Sequence, residues 1–531
     1  MQGRLLYGFH RVLAVMLMCG ATSTFAENAT GDWTGILQFE SMKTPIRAHF
    51  DQKENSLEGT VSIPFEKIMD APLTEARTES DQIFFSLKTE SDPMRFEGRQ
   101  SGNEITGTVS KGKIQGRLQM VRIVVTDPAK YFGIYKLAPN RFVYLRTWDE
   151  LGENQLTFYD DTGRVGPLIS TSATHFFSGP GLWIPLPTEI EADFVESKGA
   201  ITGLQWKEKG VTYNASRFTD FREEKVQFSN GSLHLGGTLV VPSAPGPHPA
   251  VVFVHGSGPV TRDFYGPLAY HFVRQGIAVL TYDKRGIGES EGQWLESGFD
   301  DLASDAVSAV DFLKTRREIR ASSIGLFGIS QGGWIVPLAI SKTPDIAFAL
   351  LISAAAVTPE EQQLMNVAGE MRVANMPEAE IQKAVSGTKE QIESLRSEEA
   401  IKSVEADVQK LKQEGKQALL AANGPDNPQF ILFFRKIMDF DPLPVLEKVN
   451  CPVLVIYGEL DRLVPVAENK DKLEAALKRA EHPDVTVRVF PKADHAILVS
   501  ETGSMKEFPF ANHFAPGYFS TMTNWILEKT K

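Results

Sequence analysis

Between about residues 27 and 125, apolar positions come in short bursts that often alternate with polar ones. "DWTGILQFE", "TPIRAHFD", "SLEGTVSIP", "DQIFFSLKT", "MRFEGRQ", "EITGTVS" and "KIQGRLQMVRI" carry the period of two expected of half-buried strands, with polar turn residues between them. Their even spacing predicts a small barrel or sandwich. Residues 126–222 repeat the theme in "KYFGIYKLA", "RFVYLRTW", "QLTFYDD", "AITGLQWKEKG" and "VTYNASRF", joined by Asn, Asp and Gly. From residue 223 the pattern changes. Strand-like runs such as "AVVFVHG", "IAVLTYDKRG", "SIGLFGIS", "IAFALLISAA", "PVLVIYGELD" and "VTVRVFPKAD" alternate with helical segments such as "DDLASDAVSAVDFLKTRREI" and "NKDKLEAALKRAE". Near-continuous apolar runs suit strands covered on both faces. Alternation of strand and helix predicts a mostly parallel sheet flanked by helices. The expected fold class is therefore α/β over residues 223–531, preceded by two small β-rich regions.

One stretch interrupts the alternation. Residues 358–449 are rich in Glu, Lys, Gln and Ala at helical spacing and end in the apolar "FILFFRKIMDFDPLP". They read either as a solvated helical hairpin or as a cap over the sheet edge. In the second case Phe430, Phe433 and Phe434 would face a substrate pocket. The two β-rich regions read either as a binding module or as packing domains. His49 sits in an alternating strand and reads as structural, while His175, in "THFFSGPG", is the residue to watch there.

Composition narrows the class. A chain of 531 residues is too long for one domain, and 42% hydrophobic with 23% charged residues is ordinary globular usage. A formal net charge of -12 argues against a nucleic-acid or anionic-membrane partner. At the N-terminus, Arg4 and Arg11 precede an apolar run from Val12 to Cys19, and small residues follow up to Ala26. That is the layout of an export signal cleaved after Ala26, which places the protein in the periplasm or outside the cell. The apolar run is far shorter than the ~20 residues of a spanning helix, and no other transmembrane segment is read. Once the signal and Cys19 are removed, Cys451 stands alone, so no intramolecular disulfide forms. Cys451 precedes "PVLVIYG" and reads as a buried small hydrophobe. No Cys/His cluster has zinc-ligand spacing, so neither metal nor cofactor is expected.

The chemistry centres on "FGISQGGW". Gly328-Ile329-Ser330-Gln331-Gly332 fits G-x-S-x-G between a strand and a helix. A serine at such a turn presents its hydroxyl, and the next backbone N–H, that of Gln331, can face a developing oxyanion. A second donor is expected from "HGSGP", with Ser257 first and Gly258 second. His255 reads as a loop anchor. A serine nucleophile needs a base, and the base a carboxylate. His495, in "FPKADHAIL", follows the last strand. Asp461, in "YGELDRLVP", follows the one before it, with Asp494 and Glu459 as alternatives. The order Ser330, Asp461, His495 is that of α/β-hydrolases.

The stretches "HGSGP", "YDKRGIGES", "GISQGG", "YGELDRLVP" and "ADHAI" together resemble the α/β-hydrolase superfamily, in its dienelactone-hydrolase-like and prolyl-oligopeptidase-like branch, over residues 226–531. The resemblance implies Ser330 as nucleophile, Asp461 as acid, His495 as base, and Ser257 and Gln331 as oxyanion donors. It makes Asp283 and Arg285 structural. Its departures are Gln331, where relatives commonly carry an aromatic residue, and a β-rich front too short for a propeller. The reading that results is an exported serine hydrolase of small-molecule carboxylic esters. Peptidase or thioesterase chemistry on the same triad is the alternative, and a surface-binding protein with an inactive hydrolase domain is the alternative of another class.

Overall fold

The computed structural model describes residues 28–40, 42–89, 92–152, 154–414, 427–480 and 484–531. The export signal read at residues 1–26 lies outside them. Three sheets follow one another along the chain, with nine, nine and eight strands.

The first sheet, between Gly31 and Ile123, is antiparallel throughout. Strand Met42–Lys53 pairs with both Gly31–Phe39 and Ser56–Ile63, which closes the sheet into a barrel. Alternation sets which side chains fill it. In Met94–Ser101 every second residue is buried and its neighbour exposed. The inward set includes Trp33, Phe50, Phe85, Phe96 and Met120, with Phe85 stacked on Phe96 at 4.4 Å.

The second sheet runs from Gly133 to Phe218. Its two edge strands, Val165–Pro167 and Ile169–Ser170, are separated in the chain only by Leu168, so the sheet curls round on itself. Tyr135, Phe158, Phe176 and Trp206 fill the inside. Its outer face is also apolar. Ile134, Phe142, Tyr144 and Tyr159 pack into the same core as the helices Leu268–Arg274 and Tyr518–Lys529 of the third unit.

The front of the chain is thus not two small β-rich regions, as the hydrophobic pattern suggested, but two large barrel-like antiparallel sheets. The pattern undercounted the strands. Thr74–Glu79 is nearly all polar, Val165–Pro167 contains Gly and Pro, and Ile169–Ser170 is two residues long. Such segments are held by their ladder partners rather than by apolar periodicity. Edge-to-edge closure is a long-range pairing that no local pattern reports.

The third sheet holds the strands that lead to Ser330, Asp461 and His495. Across it lie Phe221–Asn230, Leu233–Pro242, Ala278–Tyr282, His248–Val254, Ile319–Ile329, Phe348–Ile352, Val453–Gly458 and Val485–Phe490. Leu233–Pro242 is antiparallel to both of its neighbours, and every later pairing is parallel. Phe299–Lys314 and Gly332–Ile340 cover one face, and the helices against the second sheet cover the other. Parallel strands release their following loops at one edge, which brings His255, Ser330, Asp461 and His495 together.

Polar clamps fix the second sheet to this unit. Arg146, buried, bonds Glu223 at 2.7 Å and Asp263 at 2.8 Å. Asp149 accepts from the Thr261 hydroxyl at 2.6 Å, and Arg274 donates to the Tyr144 hydroxyl at 2.6 Å. The insertion forms helices including Pro359–Val373, Glu378–Ser394, Glu398–Gln413 and Pro428–Ile437. The first is opened by a capping box, in which the Thr358 hydroxyl accepts from the Glu361 N–H. Among the described residues no helix is long and apolar enough to cross a membrane.

Candidate active site

Ser330 stands between strand Ile319–Ile329 and helix Gly332–Ile340 with φ +54°, a left-handed conformation uncommon outside glycine. Its N–H donates to the Ile352 carbonyl at 2.9 Å, and its own carbonyl accepts from Gly333 at 2.8 Å. The strain therefore sits on the serine itself, while the glycines around it serve by lacking a Cβ. A Cβ on Gly328 would lie 2.5 Å from the Gly332 oxygen, and one on Gly333 would lie 2.4 Å from the Ala354 Cβ. The helix can only lie this close to the strand because those positions are bare.

His495 presents Nδ1 to Asp461 Oδ2 at 2.9 Å. Asp461 is buried, and its other oxygen accepts from the N–H groups of Leu463 and Val464 at 2.9 and 2.8 Å. Burial opposes the charged imidazole, but Asp461, Asp494 and Glu150 outweigh it and hold His495 above its ordinary pKa. Asp494 turns away from the ring. Its Oδ1 accepts from Ala496 and Leu498, both at 2.9 Å, and burial pushes its carboxyl up to about 6. Glu459 accepts from the Lys492 N–H. The Ser353 hydroxyl donates to the His495 carbonyl at 2.8 Å and so anchors the loop that carries the ring.

His255 is buried, its Nε2 bonded to the Tyr282 carbonyl, and burial pushes its pKa down to about 3. It anchors a loop and faces no nucleophile. Arg285 grips Asp305 at 2.7 Å, and Asp283 is bonded to Arg262. His175 pairs with Asp193 and His49 with Asp32, each within its own β domain. Cys451 is buried, and its thiol is pushed up to about 12. Among the described residues no group of His, Cys, Asp or Glu could hold a metal.

Ser330, His495, Ser257 and Gly256 open into one cavity of about 250 Å³. Its wall is mostly apolar and rich in aromatic side chains. Phe264, Phe508, Phe514 and Phe519 come from the hydrolase unit, and Trp148, Glu150, Tyr159 and Val165 from the second β sheet. Phe430, Phe433 and Phe434 are not among its lining residues. Phe433 is buried against Trp294 at 5.1 Å with Phe430 beside it, on the far side of the central sheet. Among the described residues the insertion meets the back of the cavity wall through Gln362, bonded to the Leu463 carbonyl, and Glu370, bonded to Ser504 and to the Met505 N–H. Trp148 and Glu150 went unnoticed in the sequence, although "RFVYLRTW" is too apolar for a strand with one wet face.

Residues 245–502 match the family model described as serine aminopeptidase, S33. Esterase EstD of Thermotoga maritima is 24% identical over 350 residues, covering 63% of this chain and 75% of that one. The bifunctional esterase/perhydrolase DCH of Acinetobacter calcoaceticus is 30% identical over 112 residues, 20% of this chain and 38% of that one. A solved esterase of Pyrococcus furiosus superposes on 60% of this chain and 96% of its own at 18% identity, with a TM-score of 0.37. The family match over residues 245–502, the similarity to the Thermotoga esterase and the strand order together support an esterase-like α/β-hydrolase as the C-terminal unit.

Proposed function

We propose that this protein is an exported serine esterase that hydrolyses small carboxylic esters through an acyl-enzyme on Ser330. The observation that carries the reading is the shared cavity. Ser330, held at positive φ, and His495, bonded to buried Asp461, face the same aromatic-walled space. His495 takes the Ser330 proton as the hydroxyl attacks the ester carbonyl. Asp461 fixes the imidazole tautomer and stabilises its charged form. The N–H groups of Ser257 and Gln331 receive the oxyanion. The alcohol leaves with the proton from His495, and a water activated by the same ring releases the acid. The apolar wall favours an apolar acyl or alcohol group.

Amide hydrolysis is the competing reading, because the matching family model is described as an aminopeptidase. The purified mature protein should be assayed on a ladder of p-nitrophenyl esters and on aminoacyl p-nitroanilides. The expected result is ester turnover, lost in Ser330→Ala together with fluorophosphonate labelling. Anilide turnover with negligible ester turnover would sink the esterase reading, and persistent labelling of Ser330→Ala would mean another nucleophile. Export rests on Arg4, Arg11, the apolar run to Cys19 and the small residues ending at Ala26. It is tested by the N-terminal sequence of protein recovered outside the cytoplasm, expected to begin at Glu27.

A further inference from the structure

Lys284 follows strand Ala278–Tyr282 in "YDKRGIGES", between two residues engaged in structural ion pairs. It is itself almost wholly buried and, among the described residues, pairs with no carboxylate. Its ammonium donates to the Gly256 carbonyl at 2.8 Å, the Gly258 carbonyl at 3.1 Å and Gln331 Oε1 at 3.2 Å. It also lies 4.7 Å from the centre of the Trp294 ring. A buried ammonium without a counter-ion is costly, and filling the space alone would call for an apolar side chain. Burial pulls its pKa down to about 7, which reflects that cost.

The acceptors explain why the charge is kept. The peptide that carries the Gly256 carbonyl also carries the Ser257 N–H, and in a planar trans peptide the two point in opposite directions. A donor pulling on that carbonyl aims the Ser257 N–H away from Lys284. It also polarises the peptide, which makes the N–H a stronger donor. The Gly258 bond fixes the far side of the same loop. The third bond reaches the side chain of Gln331, whose backbone N–H is the other oxyanion donor. Gln331 is also the residue that departs from the aromatic side chain common after the nucleophile in the resembling branch.

We propose that Lys284 is the positioning residue of the oxyanion hole: one buried ammonium, bonded to Gly256, Gly258 and Gln331, fixes the Ser257 and Gln331 N–H groups relative to each other. Gln331 and Lys284 act as a pair in which the amide side chain ties the serine elbow to the HGSGP loop. The inference rests on the ester-hydrolase reading, since only an oxyanion gives the two N–H groups a shared target.

The test compares wild type, Lys284→Met, Gln331→Leu and the double variant on a p-nitrophenyl ester and on a trifluoromethyl ketone, which forms a tetrahedral oxyanion on the serine. Lys284→Met should lower kcat by about 10²-fold, the scale of one lost oxyanion donor. KM should stay near wild type, and affinity for the ketone should fall in the same proportion as kcat. Gln331→Leu should show the same split at smaller size, and the double variant should cost less than the two singles combined. A purely structural role would lower the melting temperature without separating kcat from KM. Folded Lys284→Met with wild-type kcat and ketone affinity overturns the proposal, and so does a loss of kcat without a loss of ketone affinity. If Lys284→Met does not fold, Gln331→Leu decides, and unchanged kcat and ketone affinity there overturn it too. A wild-type protein that neither cleaves esters nor binds the ketone overturns the esterase reading and this proposal with it.

Discussion

The two β sheets at the front of the chain look alike in strand number and direction, yet they stand in different relations to the site. The first is closed on itself. Its strands alternate, as in Met94–Ser101, and its outer face is wet. It meets the rest through small contacts such as Ile36 with Phe177, Ile184 and Leu186. In the second, Leu156–Asp160 is buried at every position and Arg141–Thr147 at all but its first. One face of that sheet fills its own interior, and the other forms part of the hydrolase core and the cavity wall. Two-sided burial in an antiparallel strand therefore marks a sheet that belongs to its neighbour. The first sheet is an appendage, and the second supplies one side of the cavity wall.

This division can be broken or sharpened by experiment. The largest effect should fall on the hydrolase side. Asp461→Asn should lower kcat by up to ~10⁴, the scale of a triad histidine left in the wrong tautomer. Asp494→Asn should cost at most about tenfold, through the base's pKa alone. The reverse ranking in steady-state kinetics would reassign the carboxylate. Next comes the clamp between the units. Arg146→Ala leaves Glu223 and Asp263 without their buried partner and should destabilise the protein by about 3–5 kcal/mol in denaturant titration. A wild-type midpoint would show that the units do not depend on each other.

Smaller effects separate the two sheets directly. Trp148→Ala removes part of the cavity wall and should raise KM about tenfold on an apolar ester, within the ~1.5–3 kcal/mol of a buried large side chain. Unchanged KM would leave the second sheet a mere packing domain. Glu150→Gln tests whether that sheet reaches the base electrostatically. His495 must be neutral to accept the serine proton, so activity rises with pH through its raised pKa. Glu150 is one of the groups that raise it, and removing its charge should move the acid limb of kcat/KM to lower pH. A stationary limb would deny the coupling. Last, a chain lacking residues 28–123 should keep the wild-type kcat/KM and pH profile. Loss of activity in that soluble protein would make the barrel part of the site.

The turn at Ser330 and the pairing of Asp461 with His495 were legible because their signals are local. A strand, a turn and a helix around Ser330, and two loops after successive strands, place Asp461 and His495 without knowledge of anything distant. The wall was not legible for the opposite reason. Trp148 and Glu150 reach the cavity because Asp149 is tied to Thr261, more than a hundred residues away. Phe430, Phe433 and Phe434 were attractive as a cap because helix Pro428–Ile437 is the apolar end of an insertion set between two strands of the sheet. Its apolar face, however, is spent on Trp294. Amphipathicity says that a helix has something to bury, and only the fold says against what. Lys284 was hidden by its neighbours, since its ammonium looks like surface charge until its acceptors are placed around it.

Helix Tyr518–Lys529 decides whether the cavity is complete. Tyr518 and Phe519 line the cavity and join the core shared with the second sheet, and Met522, Trp525 and Ile526 further along the same helix join that core too. A chain truncated just before this helix should therefore keep Ser330, Asp461 and His495 yet lose part of the wall around them.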